Sequence, residues 1–286
     1  MTNPISGRGR GRRAHEFILR RLGSEGIAAI ACVTGGPGQG AAFLRSLAQP
    51  IDGVFGLGGD GTVHELVGVL AGTAVPLAIV PLGTGNVLAK EHGIPRNPAG
   101  AVSSLLGGGV RQVDLGRANG QLFHAMVTAG IDAAVVHRLE RRRTGPMPMT
   151  AYVPAAVRTV FSMRPVRMTV EVDGERLGEP ASYVAVANTR AYGGPITVAA
   201  DARSDDGLLD VVALPFRCHR RLALFFVRAL NGGVSRSAFA VCRRGRHVSV
   251  AAEEPVPVQC DGEAMGFTPL QVEIVPGAVA LVVPCR

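Results

Sequence analysis

In the first 115 residues, short apolar runs alternate with segments whose apolar residues recur at helical spacing. The apolar runs have the length expected of buried strands and lie at residues 27–34, 51–57 and 75–82. The helix-like segments lie at residues 12–23, 41–47 and 87–92. Alternating strands and helices are typical of a parallel sheet covered by helices. We therefore predict an α/β domain that closes with a glycine-rich turn between residues 105 and 115.

The pattern changes after residue 115. Short β-type runs, many of them separated by Gly, Pro or Asp turns, lie at residues 123–128, 166–172, 183–188, 208–214, 248–252, 256–260, 270–275 and 278–283. Helical segments interrupt them at residues 152–163 and 220–230. This spacing favours an antiparallel sandwich or barrel. We predict two domains, an α/β domain over residues 1–115 and an antiparallel β domain over residues 116–286.

Composition is that of a globular protein. The chain has 286 residues, 47% of them hydrophobic, and its apolar stretches fall short of the roughly 20 residues of a membrane span. The polar, arginine-rich start lacks the apolar region of a signal peptide, which predicts a cytoplasmic protein. Five scattered cysteines, odd in number and without metal-ligand spacing, predict reduced thiols.

The charge balance is basic, with a net charge of +8 and a pI near 10.0. Such a surface suits nucleic acid, an anionic membrane or an anionic substrate, although arginine richness can also reflect genome composition. Since Lys90 is the only lysine, a Walker A phosphate loop is excluded. No nucleic-acid-binding motif is present and aromatic residues are only 5%, so we predict no nucleic-acid partner.

The first candidate site is the segment Gly58-Gly59-Asp60-Gly61-Thr62, which lies between a predicted strand and a predicted helix. Glycines let the backbone approach a bulky anion, and N–H groups at a helix start attract negative charge. Asp60 is placed where a phosphate-bound metal could lie. The segment predicts a nucleotide-phosphate loop; a tight turn without a ligand is the alternative.

A second loop, Gly83-Thr84-Gly85-Asn86, follows the next apolar run and precedes another helical segment. Ligands of open α/β sheets bind at the carboxyl ends of the strands. Two Gly/Thr loops at the same edge of one sheet therefore support a phosphate site more strongly than either loop alone.

Further short motifs extend the pattern along nearly the whole chain. With them the chain resembles the diacylglycerol kinase catalytic-domain family, in particular the bacterial soluble lipid kinases related to sphingosine and ceramide kinases. Besides the two loops, the motifs are Asn3-Pro4-x-Ser6-Gly7, Val113-Asp114-Leu115-Gly116, Ala129-Gly130-Ile131-Asp132-Ala133, Ala187-Asn188 before Tyr192-Gly193-Gly194, Asp205-Asp206-Gly207-Leu208-Leu209-Asp210 and Asp261-Gly262-Glu263.

The resemblance implies a two-domain kinase with ATP and Mg²⁺ as cofactors and its active site in the cleft between the domains. Its first domain would be Rossmann-like, as in NAD kinases and phosphofructokinases, and its second a β-sandwich that receives a lipid. The implied ATP-binding residues are Asn3, Pro4, Ser6, Gly7, Thr34, Gly58, Gly59, Asp60, Gly61, Thr62, Glu65, Gly83, Thr84 and Asn86.

Two residues take catalytic roles in this resemblance. Glu263 would be the general base for the lipid hydroxyl, and Asp60 would hold Mg²⁺ through water, since phosphoryl transfer needs positioning and charge stabilisation. The alternative for Glu263 is an ordinary surface hairpin acid. The resemblance also implies a structural Mg²⁺ site, formed by the Asp206 side chain and the backbone carbonyls of Arg203 and Leu208; a polar turn without metal is its alternative.

Two departures from the family pattern are visible. Val87 stands where many relatives have aspartate, which removes a carboxylate from the expected metal network. Only Met1 and Thr2 precede the Asn3 motif, where relatives carry an apolar strand. We therefore expect a central strand to be missing, which would expose sheet backbone.

The sequence favours an ATP-dependent lipid kinase that acts on a hydroxyl of diacylglycerol, a sphingoid base or a related lipid. Membrane contact would be peripheral, through arginines and the apolar residues Met147, Met149, Phe225 and Phe226. The alternatives are an NAD kinase-like enzyme, disfavoured by the downstream motifs at Asp206 and Glu263, and an inactive lipid-binding or regulatory protein. Relatives often dimerise, so a homodimer stays open.

Overall fold

The protein divides into two compact units in the structure, a computed structural model. The first unit comprises Met1–Val113 together with Gly277–Arg286, and the second comprises Asp114–Pro276. The residues that the structure describes are 1–140, 159, 166–193, 196–215 and 240–285. The sequence prediction assigned the whole of residues 116–286 to the second domain, so the place of the chain's end in the first unit is a feature that local patterns did not show.

The first unit alternates helices and strands. Its elements are α1 (Ser6–Ser24), α2 (Gln39–Ser46), β1 (Val54–Gly58), α3 (Asp60–Leu70), β2 (Leu77–Pro81), α4 (Val87–Glu91), α5 (Pro98–Leu106) and β3 (Gly109–Ala118), which leads into the second unit. β1 and β2 are parallel, with Val54 opposite Leu77 and Gly58 opposite Pro81. The predicted α/β architecture is confirmed.

The second unit is mainly β-structure. Its elements, in chain order, are β4 (Gln121–Phe123), β5 (Met126–Ala129), α6 (Ile131–Glu140), β6 (Met168–Val172), β7 (Glu175–Arg176), β8 (Ala181–Ala187), β9 (Ala191–Gly193), β10 (Ile196–Thr197), β11 (Leu209–Pro215), β12 (Val241–Gly245), β13 (His247–Ala252), β14 (Pro257–Cys260), β15 (Glu263–Phe267) and β16 (Leu270–Val283).

The strands of the second unit pair antiparallel around β8. That strand pairs with β5 and β11, while β14 joins β5 to β15. Val184 and Val186 face one apolar cluster, and Tyr183 and Ala185 face another. Burial on both faces explains why β8 is a continuous apolar run instead of an alternating one. The predicted β-sandwich class is confirmed.

Several strand boundaries differ from the prediction. The run predicted at 123–128 bends after Phe123 and forms β4 and β5, while the two runs predicted at 270–275 and 278–283 are one 14-residue strand, β16. β12 was missed because four of its five residues are exposed, so it lacks a strand's apolar pattern. The predicted membrane-contact residues Met147, Met149, Phe225 and Phe226 lie outside the described residues.

The predicted strand at residues 27–34 is wrong. Only Val33 forms a bridge, with Thr2, and Ile27, Ile30 and Val33 are 42%, 47% and 52% exposed. Thr2 also bridges to Leu57 of β1, so the first two residues lie between that strand and the 27–34 segment. Farther along, a cavity of about 540 Å³ lies between the 27–34 segment and β1. The segment lacks a neighbouring strand along most of its length, and its backbone therefore does not form a ladder.

Among the described residues, Cys32, Cys260 and Cys285 are free thiols. Within the described ranges, no helix combines the length and the apolar character needed to cross a membrane.

Candidate functional site

The two glycine loops of the first unit touch each other at the ends of β1 and β2. The N–H of Leu82 donates to the carbonyl of Gly58 at 2.8 Å, which continues the pairing of the strands into the loops. A Cβ on Gly59 would lie 3.1 Å from the Cα of Gly83, and a Cβ on Gly83 would lie 2.6 Å from the Cα of Gly59. Glycine is therefore required for this approach, because any side chain would push the loops apart.

Asp60 links the loops through its side chain. Its Oδ2 accepts the N–H of Asn86 at 2.7 Å, and its Oδ1 accepts the N–H of Val87 at 2.6 Å. Hydrogen bonds to a carboxylate are stronger than those between neutral groups. The residue predicted to hold a metal thus also fixes the second loop, and Val87 contributes its backbone to this link.

Asn86 shapes the second loop from within. It lies in the left-handed region at φ 49°, where asparagine is tolerated better than most residues. Its Oδ1 accepts the N–H of Gly83 at 2.9 Å, and its Nδ2 donates to the carbonyl of Gly83 at 2.7 Å. Thr84, between these residues, is exposed, so its hydroxyl can reach a ligand outside the loop.

The start of α3 has the features of an anion-binding element. Gly59 is its N-cap residue, and Asp60, Gly61 and Thr62 form the first turn, where N–H groups have no partner within the helix. Together with the helix dipole, such groups bind phosphate. Each Asp60 oxygen accepts one N–H bond and keeps a further lone pair, so the carboxylate fits the predicted water-mediated contact with Mg²⁺.

The N-terminal motif lies beside the same loops. Asn3 donates its N–H to the carbonyl of Leu57 at 3.0 Å, and its side chain accepts the N–H of Ile5 at 3.2 Å. Gly7, at φ +63°, approaches β2 so closely that a Cβ would lie 2.8 Å from the carbonyl oxygen of Leu82. The N–H of Ser6 donates to the carbonyl of Asn3 at 3.2 Å, which closes the turn around Pro4.

Thr34 is connected to the N-terminal motif through Thr2. Its N–H donates to the carbonyl of Thr2 at 2.9 Å, and its hydroxyl lies 3.3 Å from the same oxygen. The structure therefore gathers the predicted ATP-binding residues of the N-terminal motif, of Thr34 and of both glycine loops at one edge of the parallel sheet.

Glu65 has a contact that the motif did not predict. Its Oε1 accepts the N–H of Ala41 at 2.8 Å, which ties α3 to the first turn of α2. A carboxylate at the first turn of a helix also complements the helix dipole. The contact of Glu65 with ATP stays a prediction.

In the second unit, Glu263 begins β15 directly after a two-residue turn. Asp261 and Gly262 have φ values of 50° and 89°, and Cys260 lies opposite Glu263 across the hairpin. Two positive φ values are typical of a type I′ turn, for which Asp-Gly is a preferred pair. The Glu263 residue is exposed, so its carboxylate is available to a ligand.

Asp261 anchors this turn to the strand end before β5. Its Oδ2 accepts the N–H of His124 at 2.9 Å, and its Oδ1 accepts the N–H groups of Ala125 and Met126 at 2.9 and 3.1 Å. The Nδ1 atom of His124 lies 2.6 Å from the same carboxylate. A backbone held at this many points gives Glu263 a fixed starting position.

A second chain of hydrogen bonds reaches the turn from the interior. Gln259 accepts the N–H of Gly262 at 2.7 Å and donates to the hydroxyl of Thr128 at 2.8 Å. That hydroxyl donates to Asp132 at 2.6 Å, and burial raises the pKa of Asp132 to about 6. Sequence reasoning missed this series of hydrogen bonds. Its only signal was one polar residue inside each of two apolar strands, Thr128 in β5 and Gln259 in β14.

The predicted structural metal site is built differently from the expectation. Asp206 accepts the N–H of Leu208 at 3.2 Å through Oδ1, and its Oδ2 pairs with the guanidinium of Arg244. Arg203, whose carbonyl was a predicted ligand, places its side chain 3.1 Å from Asp205. Both oxygens of Asp206 already accept from the protein, one from a cation. The donor set does not fit a divalent metal while Arg244 is in place.

Asp210 belongs to the same group. The Nε of Arg244 donates to its Oδ2 at 3.3 Å. Burial raises the pKa of Asp210, and the guanidinium opposes that shift. Asp114 holds the loop from the other side, since it accepts the N–H of Gly207 at 2.7 Å. Arg244 had no signal in the sequence, because its role depends on strand pairing.

Comparison with known proteins covers both units. Residues 1–118 match the family model described as the diacylglycerol kinase catalytic domain. Residues 125–283 match the one described as the YegS C-terminal NAD kinase beta sandwich-like domain. Among solved structures, a diacylglycerol kinase from Bacillus anthracis aligns with a TM-score of 0.75 at 22% identity, over 98% of this chain and 94% of that one. At this identity the likeness concerns the fold.

Similar curated proteins carry kinase names. The diacylglycerol kinase of Mycobacterium tuberculosis is 31% identical over 99% of this chain and 94% of its own length. The diacylglycerol kinase of Bacillus subtilis is 26% identical over 93% and 89%, respectively. A YegS-like lipid kinase of Pseudomonas aeruginosa is 32% identical over 79% and 75%. With family models matched across both units and a relative similar over almost its entire length, the chain belongs to the diacylglycerol kinase catalytic-domain family.

Proposed function

We propose that this protein is an ATP- and Mg²⁺-dependent lipid kinase that transfers the γ-phosphate to a lipid hydroxyl. The observation that carries the proposal is the contact of the two glycine loops, fixed by the bonds from Asn86 and Val87 to Asp60. A rigid loop pair beside the start of α3 is suited to binding phosphate groups, whose transfer depends on positioning more than on covalent chemistry.

Each unit supplies its own part of the reaction. In the first unit, N–H groups at the start of α3 would bind phosphate oxygens, the Thr84 hydroxyl would donate to them, and Asp60 would hold Mg²⁺ through water. Bound Mg²⁺ neutralises the charge of the transferred phosphate. In the second unit, the exposed carboxylate of Glu263 would accept the proton of the attacking hydroxyl, whose oxygen bonds to the γ-phosphorus as the bond to the leaving ADP breaks.

The proposed acceptor is diacylglycerol, with a sphingoid base or a related amphiphile as the next candidates. The names of the relatives from M. tuberculosis and B. subtilis support diacylglycerol as the first lipid to test. The basic net charge of +8 favours a peripheral approach to an anionic membrane surface. ATP, the lipid and the membrane are thus the proposed partners.

The test is transfer of labelled phosphate from [γ-³²P]ATP in mixed micelles, with diacylglycerol, monoacylglycerol, sphingosine, ceramide and phosphatidylglycerol as acceptors and NAD as a soluble comparison. A labelled lipid that requires Mg²⁺ is the expected result. Labelled NADP with no labelled lipid would support the NAD kinase-like alternative. Lipid binding without transfer, by protein shown to be folded, would support an inactive lipid-binding protein. The missing carboxylate at Val87 is the reason for considering that alternative.

Variants separate the two parts of the proposal. We expect Asp60→Asn and Glu263→Gln each to lower kcat by at least about 100-fold, the usual scale of a general acid–base contribution. Glu175→Gln is the matched control, because its side chain is 78% exposed and lies on a different hairpin. Full activity of both Asp60→Asn and Glu263→Gln on every lipid tried would refute the assigned roles.

A further inference from the structure

A guanidinium group stands at the loop where the family resemblance implies a structural Mg²⁺ ion. Arg244 contacts Asp206 through Nη2 and Asp210 through Nε, so one cation bridges two carboxylates. Strand pairing fixes its position, since Arg244 lies directly opposite Asp210 in the antiparallel pair of β11 and β12. Residues directly opposite in an antiparallel pair share a face of the sheet, so the Arg244 side chain starts beside that of Asp210.

The loop is otherwise complete without a metal. The carboxylate of Asp206 also accepts the N–H of Leu208, and Gly207 donates its N–H to Asp114. The N–H of Asp114 in turn donates to the carbonyl of Ser204 at 2.7 Å, which holds the loop to the start of the second unit. These bonds determine the loop conformation that a structural ion would otherwise impose.

A divalent ion at Asp206 would meet a fixed positive charge. Arg244 keeps its proton under all ordinary conditions, so it cannot give way by deprotonation. An ion could bind only after the guanidinium had left both carboxylates. The arginine would then lose one charge-assisted hydrogen bond to each of the two carboxylates.

We propose that Arg244 is the resident cation of this loop and that the chain has replaced the family's structural Mg²⁺ by a side chain. Arg244 then permanently offsets part of the negative charge of Asp206 and Asp210, and the stability of the loop does not depend on the metal supply. Under the proposed function, any Mg²⁺ requirement of the activity then belongs to the bound nucleotide. The inference concerns Asp206, Asp210 and Arg244 only, and it stands or falls independently of the kinase proposal.

The test is thermal unfolding of the full chain without nucleotide, measured in excess MgCl₂ and in EDTA. The quantity of interest is the rise in Tm that Mg²⁺ produces. We expect the same rise in the native protein and in Asp206→Asn, because Asp206 holds no ion. Removal of the guanidinium opens the loop to a metal. We therefore expect Mg²⁺ to raise the Tm of Arg244→Met by about 3 °C more than it raises the Tm of the double variant Arg244→Met/Asp206→Asn.

Two controls complete the design. Arg243→Met removes a neighbouring arginine whose guanidinium lies 3.9 Å from the Glu175 carboxylate, and it should behave like the native protein. Arg244→Lys keeps a positive charge, and it should respond to Mg²⁺ no more than the native protein does. If Arg244→Met does not fold, the comparison of native protein with Asp206→Asn and the response of Arg244→Lys still decide the question.

A larger Mg²⁺-dependent rise in the native protein than in Asp206→Asn would overturn the inference. The inference would also be overturned if Arg244→Met folded but its Mg²⁺-induced rise in Tm did not depend on Asp206. An Asp206-dependent rise in the Tm of Arg244→Lys would overturn it as well. Metal analysis gives an independent reading. Native protein dialysed against Mg²⁺ and desalted should retain no magnesium above the buffer blank, and a stoichiometric amount that Asp206→Asn does not retain would contradict the proposal.

Discussion

At the scale of single residues, the carboxylate of Asp60 joins two loops that lie 26 positions apart in sequence. Its motif predicts a residue for the metal, but its two N–H bonds make it part of the scaffold as well. Loss of activity on substitution would therefore have two causes. A stability measurement without nucleotide separates them, because the scaffold role acts in the absence of ATP and metal.

Asp60→Asn should lower the free energy of unfolding by roughly 1–3 kcal/mol, the usual cost of leaving a buried donor without a good acceptor. The side chain of the introduced asparagine has a single oxygen. Its NH₂ group would therefore face the N–H of either Asn86 or Val87. Urea unfolding without nucleotide measures the effect, with the exposed Asp52→Asn as control. Equal stability of the two variants would show that the carboxylate is not needed to hold the loop.

Asp132 gives the protein a specific pH dependence. Burial raises its pKa from 3.8 to about 6, so between these values the folded state binds more protons than the unfolded state. The contribution of this group to stability is complete below about pH 4 and is lost as the pH rises through about 6, by roughly 3 kcal/mol in all. The native protein should show this decline, and Asp132→Asn should not; identical slopes in urea unfolding from pH 4 to 7 would refute the assignment.

At the scale of elements, the site depends on two strands that end side by side. β1 and β2 run parallel over five residue pairs, so the loops that follow leave the sheet at the same edge. Glycines let those loops touch at Gly59 and Gly83. The element pattern in the sequence was sufficient to predict both loops, while the contact between them depends on the distance between the strands.

Gly83→Ala should separate the loops. The added Cβ would lie 2.6 Å from the Cα of Gly59 and 2.8 Å from Oδ1 of Asn86, so backbone must move. Gly61→Ala is the matched control, because a Cβ there meets nothing within 4 Å and alanine favours the helix. We expect overpacking in Gly83→Ala to cost on the order of 1–3 kcal/mol and to lower Tm by several degrees. The variant should also bind ATP more weakly in calorimetry. Gly61→Ala should not lower Tm. Unchanged Tm in Gly83→Ala would mean that the loops tolerate separation.

At the scale of the whole molecule, the chain's last strand belongs to both units. β16 pairs with β13 in the second unit and, at Leu281 opposite Leu77, lies parallel to β2 in the first. The N–H of Gly72 adds a bond to the carbonyl of Ala278. The end of the chain thus adds a strand beside β2, which lies far earlier in the sequence.

Leu281→Ala should therefore destabilise the first unit although it lies near the end of the sequence. Leu281 is fully buried, and truncation of such a leucine costs about 2–5 kcal/mol. The neighbouring Val282 points to the opposite side of the strand and is half-buried, so Val282→Ala should cost less. Urea unfolding compares the two, and equal costs would show that the last strand does not contribute to this core.

How much could be predicted depended on how local each feature is. The loops at Asp60 and Asn86, the Asp261-Gly262 turn and most buried strands follow from glycine, turn and apolar patterns, which act between neighbours in sequence. The strand predicted at 27–34 failed because a strand needs a partner, and its apolar residues do not reveal whether one is present. β12 was missed for the opposite reason, since pairing with β11 makes it a strand despite its polar residues.

By itself, the sequence determined the family, the two fold classes and the positions of the two glycine loops and of the Glu263 turn, because these depend on backbone freedom and local periodicity. The tertiary structure alone decided that Asp60 binds the second loop, that Gln259 and Asp132 support the Glu263 turn, and that Arg244 stands beside Asp206. These contacts join residues from different strands and loops. Strand register and packing bring their atoms within hydrogen-bond distance, and no pattern along the chain records that distance.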